Sequence, residues 1–239
     1  MISVCIATFN GEQFIRDQLL SILNQISLND EIIISDDGSS DRTLDIIKEL
    51  EDKRIKLFIN PKNGSGLVGN FQNALSKSSG DIIFLSDQDD IWDPNKISIF
   101  EKYLKNYDLV CSNASLINEK GHDLNKSFFE IIQPRNGFLK NLIRNSYLGC
   151  CMAFHRSVLQ YSMPFPEGLP MHDWWIGLIG ELNFKTIHIK NELTLYRRHH
   201  NNASTTSSKS QNPFYKKFRM RLFILNSIMN KKIRNLRSN

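Results

Sequence analysis

A chain of 239 residues with 41% hydrophobic content suits one large domain, or one domain with an appendage, and has enough apolar surface for a packed core. Its formal charge of +5 is held by one end: residues 214–239 contain Lys216, Lys217, Arg219, Arg221, Lys231, Lys232, Arg234 and Arg237 with no acid, while the remainder carries about −3, which argues against a nucleic-acid-binding body. No basic stretch followed by an apolar core opens the chain and no run approaches the ~18 apolar residues of a membrane span, so a cytosolic protein is expected, with Cys5, Cys111, Cys150 and Cys151 as reduced thiols.

Taken in order, residues 2–8 read as a strand that turns polar at Phe9-Asn10-Gly11. Phe14, Leu19, Leu20, Ile22 and Leu23 then recur at helical spacing, and Ile32-Ile33-Ile34 form a second strand running into Asp36-Asp37-Gly38-Ser39-Ser40-Asp41. Ser39 or Ser40 is placed to cap the helix carrying Leu44, Ile46, Ile47 and Leu50, and Gly38 permits the tight turn. Residues 55–59 make a third strand, and a turn with Gly64, Gly66 and Gly69 precedes a helix containing Phe71, Ala74 and Leu75. The fourth strand, from Ile82 to Leu85, is apolar throughout, as expected of a strand covered on both faces. It breaks into Ser86-Asp87-Gln88-Asp89-Asp90-Ile91-Trp92-Asp93-Pro94, after which a helix is predicted through Ile97, Phe100 and Leu104. Strands alternating with helices argue for βαβ units and a largely parallel sheet whose carboxyl edge holds the ligand crevice. Carboxylates crowded at that edge repel, and a hard cation shared with phosphate oxygens relieves them; a solvated turn or a set of helix caps would explain them too.

The second half is less regular. Leu109-Val110-Cys111 and residues 148–154 are strand-like, residues 118–126 read as a loop, and Pro164, Pro166 and Pro170 exclude regular structure just before Met171-His172-Asp173-Trp174-Trp175. Taken alone, the tryptophans fit either core or substrate wall. Residues 187–189 look like a strand, and Tyr196-Arg197-Arg198-His199-His200 gathers cations and imidazoles. Residues 204–213 read as a linker, and beyond them Phe214, Phe218, Leu222, Leu225, Met229, Ile233 and Leu236 recur every three to four residues among cations. A basic amphipathic helix of this kind fits an anionic membrane surface, the chain's own domain or a partner.

Four of these segments, in this order, resemble glycosyltransferase family 2: residues 3–10, Asp36 to Asp41, the Asp87-Gln88-Asp89 motif, and His172-Asp173-Trp174-Trp175. The wording around Leu85 to Trp92 and Tyr196 to His199 is similar to the bacterial rhamnosyltransferase-like branch, apart from Arg198 and His200, where that family often has Gln and Gly. The resemblance covers residues 1–203. It implies an α/β GT-A fold, a Rossmann-like mostly parallel sheet flanked by helices, with an acceptor-side subregion. It also implies inverting transfer of a sugar from dTDP-L-rhamnose or a UDP-hexose to a glycan acceptor, one carried on lipid at the cytoplasmic face, in O-antigen or capsule synthesis. By that resemblance Thr8, Phe9 and Asn10 hold the nucleoside, Asp36 accepts from the base N–H, Asp87 sits by the ribose, Arg198 adds charge near the diphosphate, and Asp89 with His199 ligates Mg²⁺ or Mn²⁺. Asp173 is then the catalytic base, since an inverting attack needs a carboxylate on the acceptor side to take the hydroxyl proton. A receiver-like signalling domain also gathers acids at strand ends, but it has no use for His172-Asp173.

Overall fold

The computed structural model describes residues 1–61, 66–199 and 214–237. His200, Gly64 and the predicted linker at 204–213 lie outside the described residues. The first half alternates as its apolar pattern requires: β1 (Ile2–Thr8), α1 (Ile15–Leu23), β2 (Glu31–Asp36), α2 (Thr43–Glu49), β3 (Ile55–Ile59), α3 (Gly66–Lys77) and β4 (Ile82–Asp87). Strands β3, β2, β1 and β4 lie side by side and parallel, in that order. The chain leaves β1 toward one edge of the sheet and returns to its other side at β4, so the strand order reverses between β1 and β4. A crevice opens at such a reversal outside the strand carboxyl ends. Every residue of β1 and β2 is buried, because each strand feeds side chains alternately into two cores. One core packs Ile6, Ile15, Leu19, Ile22 and Phe100; the other packs Phe71, Leu85, Cys151, Trp175 and Leu178.

The second half turns the sheet mixed. It runs β5 (Ile91–Trp92), α4 (Lys96–Leu104), β6 (Leu109–Asn118), β7 (Asp123–Ser127), α5 (Phe128–Ile132), α6 (Phe138–Ile143), a 3₁₀ turn at Gly149–Cys151, β8 (Met152–His155), α7 (Arg156–Ser162), α8 (His172–Asn183), β9 (Thr186–Arg198) and α9 (Phe214–Arg237). Strand β8 enters antiparallel between β4 and β6, and β9 lies parallel to β6. Two sequence expectations change here. Residues 118–126 are not one loop: β6 runs to Asn118 and β7 starts at Asp123, an edge strand exposed over its first four residues and so lacking any apolar alternation. Residues 148–154 are not one strand either, since Gly149–Cys151 coils into a 3₁₀ turn; every residue from 148 to 154 is buried, which hides the change of conformation from an apolar pattern.

Helix α9 is docked on the body. Ile224 is fully buried and Ile228 nearly so, within the same core that holds Trp174 and Trp175, and Lys231 Nζ donates to the Met163 carbonyl at 2.8 Å. The two tryptophans are core residues, with ring N–H groups donating to the carbonyls of Asn141 and Ser162. Because Ile224 fills core volume, Ile224→Ala should lower the unfolding free energy by about 2–5 kcal/mol. Met229→Ala, at a position 60% exposed, should change it by less than about 0.5 kcal/mol. Urea denaturation monitored by tryptophan fluorescence measures both; equal effects would mean that α9 is not seated as described.

Candidate active site

The site is assembled at the carboxyl edge from the ends of β1, β2, β4 and β9 and the first turn of α8. At the end of β1, Thr8 is buried and its hydroxyl donates to Asp36 Oδ2 at 3.0 Å. Asp36 also accepts from the backbone N–H groups of Gly38 at 3.0 Å and Ser39 at 2.8 Å and from the Ser39 hydroxyl. These donors fix a turn in which Gly38 takes φ 89°, a conformation glycine adopts without strain. Asp36 has no exposed surface, so the expected contact with a base N–H meets a carboxylate already surrounded by donors. The next residue, Asp37, accepts from the Asn60 side chain and from the Gly66 N–H, both at 3.1 Å. Neither Ser39 nor Ser40 caps α2: Asp41 Oδ1 instead accepts from the Thr43 N–H at 3.0 Å, while the N–H of Ser40 goes to Asn10 Oδ1 at 2.9 Å.

Phe9 is 54% exposed at the mouth of the crevice, and its backbone is held from the acidic loop. Gln88 accepts from the Phe9 N–H at 2.9 Å and donates to the Phe9 carbonyl at 3.0 Å, a two-point clamp that spans the crevice. Gly11 leaves room for it: a Cβ there would lie 2.4 Å from Gln88 Oε1.

Asp89 and His199 come together as predicted in sequence, with Oδ2 and Nε2 at 2.7 Å, and the imidazole stacks on Phe14 with centroids 5.2 Å apart. Strand alternation then decides which arginine joins them. Arg197 turns to the acidic loop, donating from Nε to the Asp89 carbonyl at 2.8 Å and from its N–H to Asp90 Oδ1 at 2.9 Å. Arg198 lines a groove of about 450 Å³ with Leu116, Leu124, Lys126, Glu130 and Ile131. The resemblance assigns Arg198 to the diphosphate; Arg197, two residues before His199 and so on the same face of the strand, is the arginine that reaches the acidic loop.

Asp90 has no exposed surface and Asp87 is partly exposed, with ligand-type atoms of Asp87, Asp90 and Cys150 all within 4.8 Å of one another. Burial pushes the Asp87 carboxyl up, and Asp89 and Asp173 add to the effect. Burial raises Asp90 well above the usual carboxylate range, helped by Asp89 and Asp87. The Cys150 thiol is also raised well above its ordinary value by burial, so it stays protonated and is a poor ligand for a hard cation. An oxygen and imidazole set from Asp89 and His199, with further carboxylate from the same loop, fits Mg²⁺ or Mn²⁺.

Asp173 lies in the first turn of α8, nearly fully buried, and accepts from the Trp174 N–H. Burial lifts its carboxyl to about 6 despite the opposing backbone donors of Trp174 and Gly149. Beside it, His172 stacks on Phe71 at 4.0 Å and neither ring nitrogen has a hydrogen-bond partner; burial lowers it to about 3, so it is neutral. Beneath the site, Lys96 is wholly buried, its ammonium donating to the Cys150 carbonyl at 2.6 Å and the Thr194 hydroxyl at 2.8 Å, 4.3 Å from the Trp92 ring centroid. No sequence signal marks Lys96, because a lysine in a first helical turn reads as solvated.

The family model described as Glycosyl transferase family 2 matches residues 3–162. The Escherichia coli UDP-Glc:alpha-D-GlcNAc-diphosphoundecaprenol beta-1,3-glucosyltransferase WfgD is 28% identical over 213 residues, 87% of this chain and 81% of that protein. The Shigella flexneri dTDP-rhamnosyl transferase RfbG is 28% identical over 212 residues, 82% of this chain and 72% of that protein. Among solved structures, S. aureus TarS 1-349 in complex with UDP-GlcNAc superposes with a TM-score of 0.72 at 19% identity, over 93% of this chain and 66% of that one. The GT-A expectation for the fold stands on that likeness.

The raised pKa of Asp173 carries a stability consequence with a definite sign. A carboxyl that titrates near 6 when folded and near 3.8 when unfolded costs the fold nothing below pH ~3.8 and its full penalty, about 3 kcal/mol, above pH ~6. Asn at this position carries no such penalty at any pH. The unfolding free energy of Asp173→Asn minus that of the parent should therefore rise by about 2.4 kcal/mol between pH 4 and pH 8. Denaturant titrations across that range measure it, and a pH-independent difference would place Asp173 in a solvated setting.

Proposed function

This chain belongs to glycosyl transferase family 2, and we propose that it moves a sugar from a nucleoside-diphosphate donor to a hydroxyl of a lipid-diphosphate-linked glycan, with inversion. The observation that carries the reading is that two elements far apart in sequence meet at the 3₁₀ turn Gly149–Cys151: Cys150 Sγ lies within 4.8 Å of a carboxylate oxygen of Asp87 at the end of β4, and a Cβ at Gly149 would lie 3.7 Å from the Cβ of Asp173 in α8. A carboxylate motif suited to a diphosphate and a separate carboxylate suited to an acceptor thus flank one turn. WfgD, named for UDP-Glc and a diphosphoundecaprenol-linked acceptor, and RfbG, named a dTDP-rhamnosyl transferase, support a lipid-linked acceptor and a donor of the UDP-hexose or dTDP-rhamnose kind; O-antigen or capsule synthesis is the setting that the sequence resemblance implies.

In the proposed reaction Phe9 offers its exposed ring to the base, while Thr8 and Asn10 hold the loop that presents it. Uracil and thymine both present a ring N–H that a carboxylate accepts and cytosine does not, the role the resemblance gives Asp36; because that carboxylate already accepts from Thr8, Gly38 and Ser39, such a contact requires the Thr8 or Ser39 hydroxyl to turn away. Asp89 and His199 would hold Mg²⁺ or Mn²⁺, which when bound neutralises the charge of the departing diphosphate. Asp173, ionised above pH ~6, takes the acceptor hydroxyl proton as the new bond to the anomeric carbon forms. The bond from that carbon to the diphosphate oxygen breaks on the opposite face, and its electron pair leaves with the nucleoside diphosphate.

A nucleotide stability screen tests the donor half. At a hundredfold excess over Kd, UDP or dTDP with Mn²⁺ should stabilise the protein by about 2.7 kcal/mol, and CDP should not. Asp89→Asn keeps the shape but removes the ligand charge, so the Mn²⁺-dependent part should vanish in that variant. Undiminished affinity with the same Mn²⁺ dependence in Asp89→Asn would show that the metal is held elsewhere.

A further inference from the structure

Helix α9 has a second apolar face that the body does not cover. Its docked face is Ile224 and Ile228, with Met220, Phe223 and Leu225 packed beside them. Tyr215, Phe218, Leu222 and Met229 are 66%, 52%, 42% and 60% exposed. At 3.6 residues per turn these four fall within roughly 60° of one another, on the side of the helix away from Ile224. Scattered exposed apolar residues are ordinary; a line of them along about four turns is a surface.

Helix α6 extends it. Leu139 and Ile143, one turn apart, are 70% and 65% exposed, and Arg221 of α9 donates to the Ile143 carbonyl, joining the two helices. The charges around this face are cations: Lys140 and Arg144 at α6, and Lys216, Lys217, Arg219 and Arg221 on α9, with no acid anywhere in residues 214–239. The carboxylate that approaches α6 from α8, Glu181, is occupied by the Gly137 N–H, the Asn141 side chain and the Tyr147 hydroxyl.

We propose that the outer face of α9, with Leu139 and Ile143 of α6, seats this protein on an anionic lipid bilayer. The chemistry favours a bilayer over a second copy of the chain, since two such faces would bring cation against cation. Apolar side chains entering the headgroup boundary, flanked by Lys and Arg whose heads stay at the phosphates, satisfy both properties of the face. Seating also aims the site: the Asn141 carbonyl of α6 accepts from Trp174 Nε1 at 2.8 Å, tying α6 to the helix whose first turn carries Asp173. The acceptor side is thereby turned toward the lipid, a meaning that rests on the sugar-transfer reading, although the surface itself does not.

Flotation with phosphatidylcholine vesicles, with and without phosphatidylglycerol, tests this on the full chain. Binding should require phosphatidylglycerol and weaken as salt is raised from 50 to 500 mM, by screening. The double variants Phe218→Ser/Leu222→Ser and Leu139→Ser/Ile143→Ser should each bind about tenfold or more weakly, with the melting temperature and the nucleotide stabilisation of the parent. Two results overturn the proposal: unchanged vesicle binding by both variants, or a full chain that ignores vesicles and forms a dimer that Phe218→Ser/Leu222→Ser converts to monomer. Loss of vesicle binding in variants of a protein that no nucleotide stabilises would uphold the surface and sink the sugar-transfer reading.

Discussion

Carboxylates that repel one another are held together at the centre of this structure, and much of the surrounding architecture answers that strain. Asp87 and Asp90 are each pushed up by burial and by neighbouring acids, and Asp173 is raised by burial from the other side. Such an arrangement costs stability, and a fold keeps it where charge is to be met by a ligand. The compensating groups come from remote parts of the chain. Arg197 of β9 grips the backbone of Asp89 and the carboxyl of Asp90, and His199 just beyond β9 takes Asp89 Oδ2. From α4, the buried ammonium of Lys96 joins the 3₁₀ turn to β9 through the Cys150 carbonyl and the Thr194 hydroxyl. The loop, the turn and β9 are therefore one electrostatic unit, and a change to any of them should be felt at the site.

How much of this was legible in the sequence follows from what a one-dimensional pattern can carry. Apolar runs that turn polar at Phe9-Asn10-Gly11 and acidic at Asp36 and Asp87 placed β1, β2 and β4 and predicted the crevice, because a strand buried on both faces has few other compositions. Asp89 and His199 were paired by resemblance and do meet at 2.7 Å. What the sequence could not show was the occupancy of lone pairs. Asp36 reads as a base acceptor until Thr8, Gly38 and Ser39 are seen around it, and Asp41 rather than Ser39 or Ser40 serves the start of α2. The choice between Arg197 and Arg198 was in principle readable from strand alternation, whereas Lys96 was not readable at all, since its partners lie in residues 92, 150 and 194.

Helix α9 gives the opposite lesson. Of the apolar period seen in the sequence, Phe218, Leu222 and Met229 stay exposed, while Leu225 packs against the core. The docked face, through Ile224 and Ile228, escaped that count because a helix with two apolar sides yields more than one self-consistent period. Packing of the inner face on the domain therefore leaves the outer face open to the membrane role proposed for it. Among the described residues no helix is long and apolar enough to cross a membrane.

The central claim is that Asp173 accepts the proton of the attacking hydroxyl. Steady-state sugar transfer by Asp173→Asn, measured beside donor affinity, tests it most directly, because Asn keeps the hydrogen bond from the Trp174 N–H but cannot take a proton. Transfer should slow by about 10²–10⁴-fold with the donor bound as tightly as before. Transfer at the parent rate would contradict it and remove Asp173 from the reaction.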